Sequence, residues 1–339
     1  MANERNLTVA RAGREALMWE MERDDSIIMM GEDVLKFGGV FGTADGFGDK
    51  FGADRIIDTP ISETGFVGLA TGAAVAGMRP VVELAFVDFI GVCYSAIINL
   101  AAKHYAMSNG QVKVPMTLML GTGGCYNNGA QHSQSLHASL AHIPGMIIVA
   151  PSNAHDAKGL MASCVRSDNF TVWMAQKVTS GVGFFGSPIP TSVAAVPEEQ
   201  YTIPFGEARI AKEGSDITMV GLSWTVHNCL EAAAILEKED GVKAEVIDPR
   251  TLVPLDREAI IKSVRKTGKL LVADEDYQNC SFTSEVLAII AEEDPTMLKA
   301  PAVRVANPDI TIPYSRPLEL EILPTTKRIV EAARKTLAH

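Results

Sequence analysis

The sequence lacks the cysteine patterns that would indicate disulfide bonds or a zinc site. Its five cysteines are widely spaced and form no CxxC pair; they are Cys93, Cys125, Cys164, Cys229 and Cys280. Small disulfide-stabilised domains are dense in cysteine, and structural zinc sites use closely spaced pairs. We therefore expect buried free thiols.

Long uninterrupted apolar segments are also missing. The N-terminal residues carry charges where a secretion signal needs an apolar stretch, and the segment from Phe86 to Leu100 is interrupted by Asp88, Ser95 and Asn99. A membrane-spanning helix needs about 20 consecutive, mostly apolar residues. The sequence therefore predicts no membrane span and a cytoplasmic protein.

Positive charge is scarce. The 30 Lys and Arg residues are outnumbered by 41 Asp and Glu residues, which gives a formal net charge of −11, and no basic run opposes this balance. A negatively charged surface repels phosphate backbones, so nucleic acid is not expected as a partner. An acidic surface does suit docking of a basic protein module, although acidity mostly serves solubility.

Familiar catalytic motifs are absent as well. The sequence has no GxxxxGK[ST], GxSxG or HExxH pattern, and the run GTGG at Gly121 to Gly124 lacks the spacing of a dinucleotide-binding loop. These absences argue against P-loop nucleotide hydrolysis, serine hydrolysis of the GxSxG type and zinc-dependent proteolysis.

What the sequence does contain is an alternation of short apolar runs with helical segments. A helix is predicted from near Thr8, and a second one over Gly65 to Gly77, where small residues favour close packing. Strands are predicted at Ile27 to Met30, Val81 to Phe86, Met116 to Leu120, Met146 to Ala150 and Thr171 to Met174. Such alternation is typical of βαβ units on a parallel sheet.

A second alternating series follows a stretch rich in Pro and Gly. Strands are predicted at Ile217 to Leu222, Ala244 to Ile247, Leu270 to Ala273 and Val303 to Ala306, and helices at Val226 to Glu239, Asp256 to Thr267 and Thr283 to Glu292. The predicted fold class is α/β, with two parallel-sheet α/β domains. The first covers residues 1–180 and the second residues 205–339, joined by a linker over 181–204.

Two polar segments are candidates for chemistry. Glu63 lies at a predicted helix start in DTPISETGFVG, and His132 lies in GAQHSQS. From spacing alone, each has a structural alternative. Glu63 could satisfy the first-turn amides of its own helix, and His132 could be a hydrogen-bonded histidine at a helix start.

Motifs along nearly the entire chain, in order, resemble the beta subunits of thiamine-diphosphate-dependent 2-oxoacid dehydrogenases. They are GED (31–33), GGVFG (38–42), RIIDTPISETGFVG (55–68), RPVVELAFVDF (79–89), GAQHSQS (129–135), HIPGMIIVAPSNAHDAKGL (142–160), YTIPFGEARI (201–210), VIDPRTLVPLD (246–256) and APAVRV (300–305). FVDFIGVC, YTIPFGEA and DEDYQNCSFTSE are most similar to acetoin dehydrogenase beta subunits.

This resemblance implies a pyrimidine-binding (transketolase-like) domain followed by a transketolase C-terminal-like domain. Glu63 matches the glutamate that hydrogen-bonds a ring nitrogen of the cofactor's aminopyrimidine, and Ile61 lies in the same cofactor-binding motif. Phe89 matches the aromatic residue that stacks on the pyrimidine, although it could be an ordinary core residue at a strand end. His132 matches the histidine that assists proton movement or acyl transfer, with Gln131 and Ser133 expected to orient it.

The implied function is that of a beta subunit in an α2β2 dehydrogenase that cleaves acetoin or a 2-oxoacid and transfers the acyl group to lipoamide. In this superfamily a GDG motif and a later Asn hold the diphosphate and Mg²⁺, and this sequence has no such pair. An alpha subunit carrying the GDG motif must therefore supply the metal end. A second beta subunit and a dihydrolipoyl acyltransferase core are the other expected protein partners.

Two alternatives stay open beside this function. The first is a subunit of a non-oxidative thiamine-diphosphate-dependent carboligase or lyase. The second is a non-catalytic assembly subunit, against which the presence of Glu63, Phe89 and His132 argues.

The sequence also departs from the family pattern. Met119 stands where an Arg is usual and Ala175 where a Glu is usual, and we hypothesise that a salt bridge was lost as a pair, because a lone buried charge is costly. The segment Val178 to Gly186 replaces a customary aromatic and basic one. Tyr126 and Asn128, together with Gln131, are predicted substrate-pocket residues, so the exact substrate is open.

Some family members bind a structural K⁺ ion through backbone carbonyls. The matching positions here are Cys164, Val165, Ser167 and Asn169, but Ser167 stands where Asp is usual. The K⁺ site is therefore an open expectation.

Overall fold

The structure is a computed structural model that describes residues 5–181 and 189–339. The chain falls into two compact units. Unit 1 comprises Met1–Thr122 and Ser139–Phe205, and unit 2 comprises Gly123–Ala138 and Gly206–His339. Within the predicted linker, residues 189–204 belong to unit 1 and residues 182–188 lie outside the described residues. Segment 123–138, which the predicted division assigned to the first domain, belongs to unit 2.

Unit 1 is built around a parallel sheet. Its strands are β2 (Ile27–Gly31), β3 (Ile56–Asp58), β4 (Arg79–Phe86), β5 (Thr117–Thr122), β6 (Ile147–Val149) and β7 (Thr171–Gln176). They are ordered β6-β7-β5-β4-β2-β3 and every neighbouring pair is parallel. All residues of β2, β5 and β7 are buried, as expected for a parallel sheet covered on both faces. Separately, β1 (Asn6–Leu7) pairs antiparallel with β8 (Ala194–Ala195).

The helices of unit 1 follow the predicted alternation. They are α1 (Val9–Arg23), α2 (Phe47–Phe51), α3 (Glu63–Val75), α4 (Ile90–Ser95), α5 (His104–Met107), α7 (Ala154–Arg166) and α8 (Lys177–Ser180), with a π-helical turn at Ala96–Ala101 and α6 (His137–Ala141) beginning in segment 123–138. Thr8 caps α1 by accepting the Arg11 amide, as the predicted start near Thr8 requires. A Cβ at Gly13 would lie 3.1 Å from the Trp173 ring, so glycine lets α1 approach the sheet closely.

Unit 2 is a second α/β unit with its own core. Its strands are β9 (Arg209–Lys212), β10 (Ile217–Gly221), β11 (Ala244–Asp248), β12 (Thr251–Val253), β13 (Leu270–Tyr277) and β14 (Val303–Asn307), and its helices are α9 (Trp224–Asp240), α10 (Arg257–Thr267), α11 (Phe282–Glu293), α12 (Arg316–Ile322) and α13 (Thr326–Leu337). The five-stranded sheet has the order β14-β13-β10-β11-β9, and only its edge strand β9 is antiparallel to its neighbour. The predicted α/β class is confirmed, with one antiparallel edge that the prediction lacked.

Two further expectations concern the burial of the free cysteines and the absence of a membrane-spanning helix. None of the five cysteines forms a disulfide bond; Cys93, Cys164 and Cys229 are buried, but Cys280 is exposed and Cys125 is half-buried. The expectation of uniform burial was therefore wrong, since Cys125 and Cys280 lie in irregular segments outside the two cores. Among the described residues, no helix combines the length and the apolarity needed to cross a bilayer.

Candidate active site

Glu63 is the first residue of α3, directly after the turn that follows β3. Its side chain is buried, with 8% of the residue exposed. The amides of Gly65 and Phe66 donate to the Ser62 carbonyl rather than to the Glu63 carboxylate. Within residues 5–181 and 189–339, no hydrogen bond or ion pair to that carboxylate is found. The capping alternative is thus not the observed arrangement.

The negative charge of Glu63 contributes to raised pKa values of two neighbouring groups, Glu32 and Cys93. Burial raises the pKa of Glu32, and the negative charges of Glu63 and Asp33 raise it further. Burial raises the pKa of the Cys93 thiol to about 12, with a further contribution from Glu63. The Thr64 hydroxyl donates to the Val92 carbonyl at 2.7 Å, which joins the start of α3 to α4. The start of α3 is therefore an acidic place, in which Glu63 is buried between exposed neighbours.

Phe89 lies beside this region, at the end of the 3₁₀ turn Val87–Phe89 that follows β4. It is only half-buried, and its ring packs edge-on to Phe86 with centroids 5.5 Å apart. Phe86 in turn packs edge-on to Phe41 at 6.0 Å. Cys93 donates its thiol to the Phe89 carbonyl at 3.6 Å. The negative charge of Glu63 contributes to the raised pKa of Cys93. The two predicted cofactor residues, Glu63 and Phe89, therefore both lie near the Cys93 thiol.

Ile61 precedes α3 and is 82% exposed. A single exposed isoleucine is ordinary on a protein surface. Its position two residues before Glu63 makes it available to a ligand or a partner chain, and its predicted cofactor contact stays a prediction.

His132 lies on an irregular segment of unit 2 between β5 and α6. Its side chain is half-buried, and its amide donates to the Gly129 carbonyl at 3.4 Å. Helix α6 begins only at His137, so His132 is not the helix-start histidine of the structural alternative. Gly129 has a φ of +67°, and a Cβ there would lie 3.3 Å from the Tyr314 ring, so this turn requires glycine.

The residues predicted around His132 have mixed outcomes. Gln131 is exposed, whereas Tyr126 and Asn128 are half-buried on the same segment. Burial raises the pKa of Tyr126 to about 12, so its phenol is a neutral donor at physiological pH. Ser133 is fully buried, and within the described part of the chain its hydroxyl has no hydrogen-bond partner. The Ser133 hydroxyl therefore makes no hydrogen bond to His132, and the expectation that Gln131 and Ser133 orient His132 stays a prediction.

Acidic side chains of unit 2 hold both ends of segment 123–138. Glu275 accepts the Gly124 amide, and Glu319 accepts the amide of Cys125 at 3.0 Å. At the other end, His137 lies 2.8 Å from Asp274 through its Nε2 atom. Sequence reasoning missed these residues, although three consecutive acids in a strand as buried as β13 are an unusual signal.

A second buried acid, Glu83 on β4, was also missed. Glu83 lies opposite Met119 of β5, and both line a small cavity of unit 1 together with Ala175. Met119 and Ala175 thus share one cavity, as the hypothesis of a paired replacement requires. Burial raises the pKa of Glu83 to about 7, against hydrogen bonds from Thr43 and Val40 that lower it. Of the replaced segment Val178 to Gly186, residues 182–186 lie outside the described residues.

The carbonyls proposed for K⁺ already have a cationic neighbour. Arg79 donates from Nη1 to the carbonyls of Val165 at 3.1 Å and Ser167 at 2.8 Å. The Ser167 amide itself donates to the Cys164 carbonyl at 3.1 Å. A K⁺ ion would have to share these oxygens with a guanidinium group. Elsewhere in the described residues, no cluster of three or more His, Cys, Asp or Glu side chains could hold a metal ion.

Known proteins share this two-unit architecture. The family model of the transketolase pyrimidine binding domain matches residues 5–179, and that of the transketolase C-terminal domain matches residues 206–329. A solved structure described as "Split gene transketolase, inactive beta4 tetramer" is similar with a TM-score of 0.79, covering 98% of this chain and 99% of that one at 24% identity. The fold is thus the paired α/β fold of a transketolase-type protein.

Curated relatives identify the family more narrowly. The beta subunit of acetoin:2,6-dichlorophenolindophenol oxidoreductase from Cupriavidus necator is 40% identical over 343 residues and covers 98% of each chain. The mitochondrial pyruvate dehydrogenase E1 component subunit beta of Rattus norvegicus is 41% identical, over 98% of this chain and 90% of that one. The chain belongs to the family of beta subunits of thiamine-diphosphate-dependent acetoin and 2-oxoacid dehydrogenases.

Proposed function

We propose that this chain, paired with an alpha subunit and a second beta subunit, forms half of a thiamine-diphosphate site that cleaves acetoin or a 2-oxoacid. The single observation that carries the proposal is the Glu63 carboxylate, which is buried at the start of α3 without a protein partner among the described residues. The carboxylate oxygens are not completely enclosed, so a ligand can still reach them and supply a hydrogen bond. A protonatable ring nitrogen of the cofactor is such a ligand.

When bound, thiamine diphosphate supplies the carbon nucleophile that attacks the substrate carbonyl. Glu63 holds a proton at the pyrimidine ring nitrogen, and the half-buried ring of Phe89 offers a flat apolar surface for the pyrimidine. His132 acts as the proton donor or acceptor at the substrate. Tyr126 and Asn128 border the substrate, and their neutral donors suit an uncharged ketone.

The metal end of the cofactor is assigned to the alpha subunit, which we propose carries a GDG motif and Mg²⁺. The exposed face of α3 supports a contact with another subunit. Leu69 on this face is 60% exposed, and a Cβ at Gly68 or Gly72 would meet no other described atom within 4 Å. The proposed location is the cytoplasm.

We favour acetoin over pyruvate as the substrate. The motifs FVDFIGVC, YTIPFGEA and DEDYQNCSFTSE, which are most similar to acetoin dehydrogenase beta subunits, support this preference. The cavity that Met119 and Ala175 line is too small to hold a substrate. The K⁺ site is the weakest part of the proposal because Arg79 already binds two of its carbonyls.

The experiment is coexpression with the alpha subunit, followed by assays with acetoin and with pyruvate. Reduction of lipoamide and of dichlorophenolindophenol is measured for each substrate. Faster acetoin-dependent reduction supports the proposal. Product formation without any acceptor being reduced would instead favour the carboligase or lyase, and no turnover by a folded complex with bound cofactor would favour the assembly subunit.

A further inference from the structure

Four carboxylates of unit 2 surround the ends of the segment that carries His132. They are Asp274, Glu275 and Asp276 of β13, and Glu319 of α12, and we call them the acidic anchor. Their residues are 1%, 3%, 5% and 0% exposed, respectively. Carboxylates are rarely this deeply buried unless they are paired or hydrogen-bonded. Each of the four carboxylates contacts segment 123–138, so their burial is linked to holding this segment in place.

At the N-terminal end of the segment, two glutamates bind successive backbone amides. Glu275 accepts the Gly124 amide, while Glu319 accepts Cys125 at 3.0 Å and Asn127 at 3.3 Å. Cys125 and Asn127 have positive φ angles of 75° and 58°, which non-glycine residues seldom adopt. Hydrogen bonds from amides to carboxylates are among the stronger ones and offset this strain. A Cβ on Gly124 would lie 2.9 Å from Glu319, so the backbone sits directly against the anchor.

At the C-terminal end, two aspartates bind a buried histidine and a backbone amide. His137 Nε2 lies 2.8 Å from Asp274 and 3.8 Å from Asp276, and Asp276 accepts the Ala138 amide at 3.1 Å. Burial alone would lower the pKa of His137, but the charges of Asp274, Asp276 and Glu275 outweigh it and raise the pKa to about 9. His137 is therefore a cation at neutral pH, and it neutralises part of the anchor.

Replacing a buried ion pair by apolar residues is often neutral or stabilising, because buried charges are expensive to desolvate. The acids are therefore poorly explained by stability alone. Their common effect is to fix two points of the chain, at residues 124–127 and at 137–138. The turn that bears His132 lies between these two points.

We propose that the acidic anchor is a set of positioning residues that fixes His132 by holding both ends of segment 123–138. The proposal rests on the role assigned to His132 in the proposed function. It names Asp274 and Glu319, neither of which needs to touch the substrate, as determinants of the rate of catalysis.

The test uses the complete complex with the alpha subunit, carrying Asp274→Asn or Glu319→Gln. Glutamine can still accept one amide hydrogen bond, so Glu319→Gln is the variant expected to fold if Asp274→Asn does not. The matched control is Glu245→Gln, which removes a buried carboxylate of a different strand of unit 2, β11, where it pairs with Lys266 of α10. We measure kcat, KM, the thiamine diphosphate concentration at half-saturation, and amide hydrogen exchange in peptides spanning 123–138.

The expected result is a fall in kcat of about 10- to 100-fold, as misplaced catalytic groups produce, with KM and cofactor half-saturation changed less than about threefold. Amide exchange in 123–138 should become faster in both variants and stay unchanged in the control. Unchanged exchange, or an unchanged kcat with faster exchange, would overturn the proposal. His132→Ala separates the two claims: full activity in that variant removes the role of His132, while the exchange data still test the anchor.

Discussion

The buried carboxylate of Glu83 accepts the amide of Val40 at 2.9 Å, and it holds the loop of residues 38–43 against β4. The Thr43 hydroxyl donates to the second carboxylate oxygen. A Cβ on Gly39 would lie 2.5 Å from this carboxylate, which explains why glycine is needed there. Phe41 of the same loop packs on Phe86. The protonation of one acid is therefore coupled to a loop that reaches the aromatic cluster near the candidate site.

The raised pKa of Glu83 predicts a pH dependence of stability in unit 1. The unfolded chain releases this proton near the ordinary glutamate pKa of 4.5, and the folded chain retains it up to about 7. The contribution is therefore fully present below pH 4.5 and is lost as the pH rises to 7. Its size is about 3 kcal/mol. Glu83→Gln, which can still bind Val40 and Thr43, should be more stable than the wild type at pH 8.

The measurement is denaturant unfolding of both proteins at several pH values from 4.5 to 8. The control is Asp25→Asn, which changes a fully exposed acid of the same unit. A constant stability difference between Glu83→Gln and the wild type across this range would show that Glu83 keeps an ordinary pKa.

The shared cavity of Met119, Ala175 and Glu83 predicts coupled effects of two substitutions. Ala175→Glu alone should lower the melting temperature, because it adds a second carboxylate beside Glu83 without a cation. Adding Met119→Arg should recover part of the loss, because the guanidinium can pair with both acids. A double-mutant cycle should give a favourable coupling free energy of about 1–3 kcal/mol. Additive effects would refute the paired-replacement hypothesis.

The His137 ion pair predicts a second pH-dependent contribution to the free energy of unfolding. This contribution arises in unit 2 and changes at higher pH than that of Glu83. Because the folded pKa of about 9 lies above the ordinary histidine pKa of 6.5, its stabilising contribution is complete below pH 6.5 and is lost as the pH rises through 9. His137→Asn should therefore lose stability relative to the wild type at pH 6 but less so at pH 10. The control variant is His142→Asn, which changes a histidine that is not fully buried. An equal destabilisation at both pH values would mean that His137 is neutral throughout.

Local patterns predicted most of the fold. Helix α1 begins directly after Thr8, where a capping side chain precedes a helical pattern of apolar residues. The core strands were predicted from short, continuous apolar runs, and the residues of these runs are buried in the structure. The strand β9 was missed because its residues Arg209–Lys212 are half-exposed and lack a clear pattern. The candidate site residues were predicted from the family resemblance and not from local patterns. The family resemblance singled out Glu63, whose side chain is left without a partner at the start of α3 among the residues that the structure describes.

Long-range contacts could not be read from the sequence. The assignment of segment 123–138 to unit 2 depends on Glu275 and Glu319, which lie 151 and 194 residues away from Gly124 and Cys125. No local spacing encodes such a pairing. The same holds for Arg79, whose guanidinium binds carbonyls of Val165 and Ser167 at the end of α7.

The most direct test of the account is the turnover of the complete complex carrying Glu63→Gln. A matched control is Glu258→Gln, which removes an exposed acid from the first turn of α10 and so imitates any loss of helix-end stabilisation. If Glu63 holds a proton at the cofactor ring, the variant should fold and assemble normally but turn over at least about 100-fold more slowly than the wild type and the control. Turnover of Glu63→Gln within about twofold of the control would contradict the account.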